Sequence, residues 1–148
     1  MYNNILVPLD RSKRAEKILP HVENLAGHYK AKIIFHTTIP NFQTAAVDGS
    51  FVEFSEKDFS TQFEKAKSYL KGIVENFHHK DISTHMVVTK GRAVENIIQT
   101  AEKENVDLIA MTSHGRGGLT RVFYGSVTSG VLNRADRPLL IVRARQEV

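Results

Sequence analysis

The chain has 148 residues, of which 41% are hydrophobic and 24% charged, with a formal charge of +4 and no cysteine. This length suits one domain with a real core. The missing cysteines exclude a disulfide framework, thiol catalysis and zinc–thiolate sites, and fit a reducing cytoplasm. The scattered, modest positive charge does not argue for nucleic-acid binding. No apolar run is long enough to span a bilayer, and the N-terminus enters a strand pattern without a basic leader, so neither a membrane span nor a signal peptide is expected.

Asn4 to Leu9 reads as a short buried strand, with Pro8 at its end because proline cannot donate to a ladder. Asp10 follows, then Ser12, a candidate helix N-cap. Ala15, Ile18, Leu19, Val22, Leu25 and Ala26 form one helical stripe. Pro20 falls inside that stripe and is expected to kink the helix or weaken a turn. Lys32 to Thr38 is the second strand, closed by Pro40. Asn41 to Ser55 shows no period and is expected to be an irregular, mobile loop. Phe59, Phe63, Ala66, Leu70, Ile73, Val74 and Phe77 keep helical spacing over about Lys57 to Phe77, with Gly72 a mild weakness.

Ser83 to Thr89 is the third strand, and Gly91 marks a tight turn. Ala93 to Lys103 is a helix with Val94, Ile97, Ile98 and Ala101 on one face. The fourth strand is Asp107 to Met111 and the last is Pro138 to Arg143. Strands alternating with helices imply parallel strands joined by right-handed crossovers. The predicted fold is one doubly wound α/β sheet of five parallel strands, order 3-2-1-4-5, with helices on both faces. Ligands then sit at the carboxyl ends of the strands, where the winding reverses.

Between the fourth strand and the last helix, Met111 to Gly130 is rich in glycine and hydroxyl residues and carries Arg116 and Arg121. Glycines allow a ligand to approach the backbone. The free amides of a helix start at Ser126 would attract an anion. The segment is a candidate phosphate grip. On pattern alone an ordinary loop followed by an ordinary N-cap explains it as well. Arg116 and Arg121 read equally as phosphate neutralisers or as surface charges. His114 reads as a solvent-facing loop histidine, and the adjacent His78 and His79 diverge on a helix, which argues against a metal site.

Gly115, nine residues, then Gly125-Ser126-Val127-Thr128 resembles the signature of the universal stress protein family. So do Asn4 to Asp10, Phe35-His36, Lys90-Gly-Arg92, Asp107 to Met111 and Arg137 to Arg143. The resemblance covers essentially the whole chain. It implies the doubly wound fold, a homodimer and, in one branch, ATP binding. By that resemblance Pro8, Leu9 and Asp10 would meet the nucleoside, and Thr37 would offer main-chain groups to adenine. Met111, Thr112, Ser113, His114 and Gly115 would follow the ribose and first phosphate, with Arg116 beside them. Gly125, Ser126, Val127 and Thr128 would hold the outer phosphates. Mg2+ or Mn2+ would be carried by the phosphates and not by a protein cage. Thr112 departs from the family pattern, which has glycine there, and Thr37 stands where an apolar residue is common.

No nucleophile–base–orienter set is visible, so no catalytic residue is assigned. A phosphoacceptor domain would need clustered acids after the first strand and an aspartate after the third; the chain has Asp10 alone and Thr89-Lys90-Gly91. The expectation is a cytoplasmic ATP-binding module of stress response or signalling, in which nucleotide orders the 112–128 segment and hydrolysis is at most very slow. The alternative is a dimeric scaffold that has lost nucleotide binding and acts through protein partners. Pairing of Pro138 to Arg143 with its copy would cover an exposed sheet edge.

Overall fold

In the computed structural model, which describes residues 1–41, 43–44, 52–53, 56–114 and 124–144, five apolar stretches pair as one parallel sheet. They are β1 (Asn4–Pro8), β2 (Lys32–Ile39), β5 (Thr84–Lys90), β6 (Leu108–Thr112) and β7 (Leu139–Val142), in the order β5-β2-β1-β6-β7. Counting these five in sequence gives 3-2-1-4-5, as the alternation of elements predicts. Val7 pairs with Phe35, Ile5 with Leu108 and Ile109 with Leu139.

The sheet is covered on both faces because its strands are apolar on both faces. One core joins Ile5, Val7, Ile33, Phe35 and Ala110 to Val22 and Ala26 of α1 (Leu19–Tyr29) and to Leu70 and Ile73 of α2 (Glu56–Glu75). The other joins Leu6, Ile34, Ile109 and Met111 to Ile97 and Ala101 of α3 (Ala93–Lys103) and Val131 of α4 (Ser126–Arg134). Even and odd strand positions thus feed different helix pairs, which is the period of a strand at work.

Ser12 caps as expected: its hydroxyl accepts the Ala15 N–H at 3.1 Å. Pro20 does not kink a continuous helix. A 3-10 turn, Ala15–Ile18, precedes α1, and Pro20 lies in the first turn of α1, where its missing N–H has no intrahelical acceptor to lose. Lys30, left-handed at φ 55°, ends α1. The 41–55 stretch is not wholly irregular: β3 (Gln43–Thr44) and β4 (Val52–Glu53) form a two-stranded antiparallel ribbon. Such short strands leave no period in a sequence. Residues 42, 45–51 and 54–55 lie outside the described set. His78 and His79 are held by their backbone, both N–H groups donating to Glu23 Oε1 at 2.8 and 3.0 Å. Gly91 makes its turn at φ 117°, donating its N–H to Ile39 O at 2.9 Å.

Candidate functional site

The winding direction reverses between β1 and β6, and their carboxyl ends open into a cleft of about 720 Å³. That is the size of a small-molecule site. Of the residues singled out from sequence, Pro8, Leu9 and Asp10 line it after β1, and Met111 and Thr112 at the end of β6. Gly125, Ser126, Val127 and Thr128 line it from the start of α4.

That helix start is open to an anion. Its N-cap is Gly125, extended at φ −61° and ψ 163°, with no side-chain cap and no acidic residue in the first turn. The amides of Ser126, Val127 and Thr128 therefore have no acceptor within the helix, and the positive end of the helix dipole is not neutralised by a carboxylate of its own first turn. The start is fixed against β6. The Gly125 N–H donates to Ser113 O at 2.8 Å, and the buried Thr128 hydroxyl donates to Thr112 O at 2.9 Å. A Cβ on Gly125 would lie 3.5 Å from Ser113 O and 3.6 Å from His114 Cα, so the two backbones run in contact.

Ser113 and His114 are not among the lining residues. Ser113 is buried; its Oγ lies 3.1 Å from His114 Nδ1 and accepts the Ala144 N–H at 3.3 Å. These two residues anchor the segment leaving β6. The Thr112 hydroxyl donates to His114 O at 2.9 Å, so the side chain that replaces the family's glycine is spent on its own turn. Gly115, Arg116 and Arg121 lie outside the described residues.

Asp10 is exposed at the cleft, and its Oδ1 accepts from the Ser12 N–H at 3.0 Å and hydroxyl at 2.5 Å. This closes an Asx turn around Arg11, which takes φ 67°. A left-handed non-glycine residue is uncommon, and here it lines the cleft. Thr37 is buried at 1% exposure on the strand face it shares with Phe35; its hydroxyl has no hydrogen-bond partner among the described residues, and it does not line the cleft.

Its neighbours do. His36 and Thr38 point to the opposite face and line the cleft, as do Pro40, Gly91, Ala93 and Ile97. His36 Nε2 lies 2.8 Å from Thr89 Oγ1, and Thr89 Oγ1 lies 3.0 Å from Thr38 Oγ1. Burial holds the His36 imidazole down at about 4, so it is neutral near pH 7. Sequence reasoning assigned none of these to the site. One signal existed: a histidine directly after the apolar run Ile33-Ile34-Phe35 in the same strand. Gln62 and Lys65 of α2 also line the cleft, and no sequence pattern announces them, because their place depends on how α2 lies across the sheet. Among the described residues no group of three or more His, Asp or Glu is placed to hold a metal, and no helix is long and apolar enough to cross a membrane.

Known proteins share this fold. Universal stress protein MJ0577 of Methanocaldococcus jannaschii is 28% identical over 157 residues, covering 98% of this chain and 97% of its own. The MJ0577 structure superposes with a TM-score of 0.85 over 99% of each chain. Two more distant structures share the fold at a TM-score of 0.63. One is a universal stress protein in complex with cAMP, 18% identical with 97% and 98% of the chains covered. The other is the universal stress protein of Archaeoglobus fulgidus in complex with dAMP, 15% identical with 95% and 97% covered. The sequence profile of the universal stress protein family matches residues 1–143. Fold and profile agree over nearly the whole length, and the chain belongs to the universal stress protein family.

Proposed function

We propose that the cleft binds an adenine nucleotide, ATP with Mg2+ or Mn2+ carried on its phosphates, and that the protein is a binding module and not a turnover enzyme. The observation that carries this reading is the uncapped start of α4 facing the cleft. Amides at a helix start suit phosphate oxygens. The residues fit the rest of such a ligand. Leu9, Met111 and Ile97 offer apolar surface for a base, and Asp10, the only carboxylate among the described lining residues, suits ribose hydroxyls and not phosphates. The relatives bound to cAMP and dAMP support the choice of adenine.

A ligand that touches both the end of β6 and the start of α4 ties the two together. The proposed output is a change in the surface shown to a protein partner, and it requires that ATP bind the two arrangements unequally. A cytoplasmic stress-response role and a homodimer belong to the same reading. Among the described residues β7 pairs only with β6, which leaves its other edge for a second copy, and Tyr124 just before α4 and Leu132 on it are exposed. Light scattering at micromolar concentration should give twice the chain mass.

The test is calorimetric titration with Mg·ATP. One site per chain with measurable heat is expected. No heat, and no competition with a fluorescent adenine nucleotide, would favour a scaffold that works without nucleotide. A phosphate-release assay should show at most very slow hydrolysis.

A further inference from the structure

The phosphate end of the cleft is at α4, which follows β6. β2 lies two strands away across β1, roughly 10 Å at the usual strand spacing. That matches the reach from a nucleotide's phosphate to its base, so on the reading above the base would lie at the β2 end, beside Thr38 and Pro40 and against Ala93 and Ile97 of α3.

Thr38 and Thr89 are register partners on β2 and β5, and His36 stands one pair below. The three polar groups form a chain along the cleft wall, in which Thr38 and His36 line the cleft and Thr89 joins them: Thr38 Oγ1, Thr89 Oγ1 at 3.0 Å, His36 Nε2 at a further 2.8 Å. Each hydroxyl has one proton. If Thr38 accepts a hydrogen bond from a ligand, its own proton goes to Thr89, and the Thr89 proton goes to a bare Nε2. If Thr38 donates to a ligand, Thr89 donates to Thr38 and Nε2–H donates to Thr89. The imidazole supports both directions because either ring nitrogen can carry the proton. It is 1% exposed and neutral, so it does not sit as a fixed double donor.

Resting on the nucleotide reading above, we infer that Thr38, Thr89 and His36 are a reversible hydrogen-bond relay that meets the 6-position of a purine in either polarity, so that the cleft accepts 6-oxo purine nucleotides as well as adenine nucleotides. An adenine 6-amino group donates and sets His36 with its proton on Nδ1. A 6-oxo group accepts and sets the proton on Nε2. No proton leaves the protein in either case, and Thr38 is satisfied in both.

The probe pair is Mg·ATP and Mg·ITP, which differ at the 6-position and the N1 proton. Titrated into the full chain, ITP should bind within about fivefold of ATP. A wall of fixed polarity would leave one buried group mispaired at about 1–3 kcal/mol, up to roughly a hundredfold. Imidazole 15N shifts of His36 should report the Nδ1–H tautomer with ATP and the Nε2–H tautomer with ITP. In Thr89→Val the tautomer should be the same with both nucleotides. ITP binding more than about thirtyfold weaker than ATP, or one His36 tautomer with both nucleotides in the unmodified protein, would overturn the relay while leaving adenine nucleotide binding intact. Failure of ATP itself to bind would overturn the nucleotide reading and the relay with it.

Discussion

Gly130 lies inside α4 where that helix meets α3. A Cβ there would stand 2.6 Å from Val94 Cγ2 and 3.1 Å from Val94 Cγ1. Ordinary carbon contacts are about 3.5–4.0 Å, so in Gly130→Ala either the helices part by about 1 Å or Val94 leaves its rotamer. Valine in a helix has one strongly preferred rotamer, so it yields poorly. Overpacking of this kind costs about 1–3 kcal/mol, and the helix preference of alanine over glycine returns about 1 kcal/mol. Gly72 in α2 is the built-in reference, because nothing lies within 4 Å of a Cβ there. Gly72→Ala should therefore gain about 1 kcal/mol, and the difference between the two variants isolates the α3–α4 overlap at about 1–3 kcal/mol. Urea unfolding followed by circular dichroism measures both, with unchanged m-values confirming that midpoints report stability. Displacing α4 also shifts Gly125 to Thr128 against β6, so Gly130→Ala should weaken nucleotide binding where Gly72→Ala does not. If Gly130→Ala stabilises as much as Gly72→Ala, the close helix approach is wrong.

Ser126→Pro removes one amide from the helix start while proline is tolerated there, because Gly125 is already extended at ψ 163°. ATP affinity should fall about 10- to 100-fold, the worth of one charge-assisted hydrogen bond, with little change in unfolding midpoint; Ser126→Ala separates the hydroxyl's share. Thr128→Val leaves the Thr112 carbonyl without its 2.9 Å donor, and chemical unfolding should show a loss of about 1–3 kcal/mol. Gly91→Ala places a side chain at φ 117° and should cost about 1–3 kcal/mol by the same measurement. His36 titrates at about 4 in the fold against 6.5 as its ordinary value. Between those values the unfolded chain holds a proton that the native chain lacks, so the contribution is fully present above pH 6.5 and falls as pH drops. At pH 5 the loss is about 2 kcal/mol, and His36→Gln should remove that part of the pH dependence of urea unfolding.

The five strands and their order were legible because apolar runs alternate with helical stripes and because crossovers have one hand. Ser12 and Gly91 were legible because capping and tight turns demand particular residue types; the start of α4 was placed at Ser126, but its N-cap is Gly125 and no side chain caps it, so the ordinary-cap reading of Ser126 does not hold. The β3–β4 ribbon was not legible, since pairs of two residues carry no period. Pro20 was expected to kink the helix or weaken a turn; it stands in the first turn of α1 directly after the 3-10 turn Ala15–Ile18, a division that an apolar stripe does not reveal. In the cleft, Asp10 and Met111 were found by the carboxyl-end rule applied to β1 and β6, whereas Thr37 at β2 came from the family resemblance, as a source of main-chain groups, and His36 and Thr38 were not assigned. The strand's period of two turns the Thr37 side chain away from the cleft and those of His36 and Thr38 toward it, while a main-chain contact from Thr37 does not depend on that face. Gln62 and Lys65 enter through the packing of α2, which no local pattern encodes.

The central claim is that backbone amides at the start of α4 hold the phosphates of a nucleotide. A crystal soaked with Mg·ATP tests it most directly. The account predicts phosphate density within about 3 Å of the amides of residues 126–128, with the base toward Thr38 and Pro40. A cleft without nucleotide density, or a nucleotide bound elsewhere on the molecule, would contradict it.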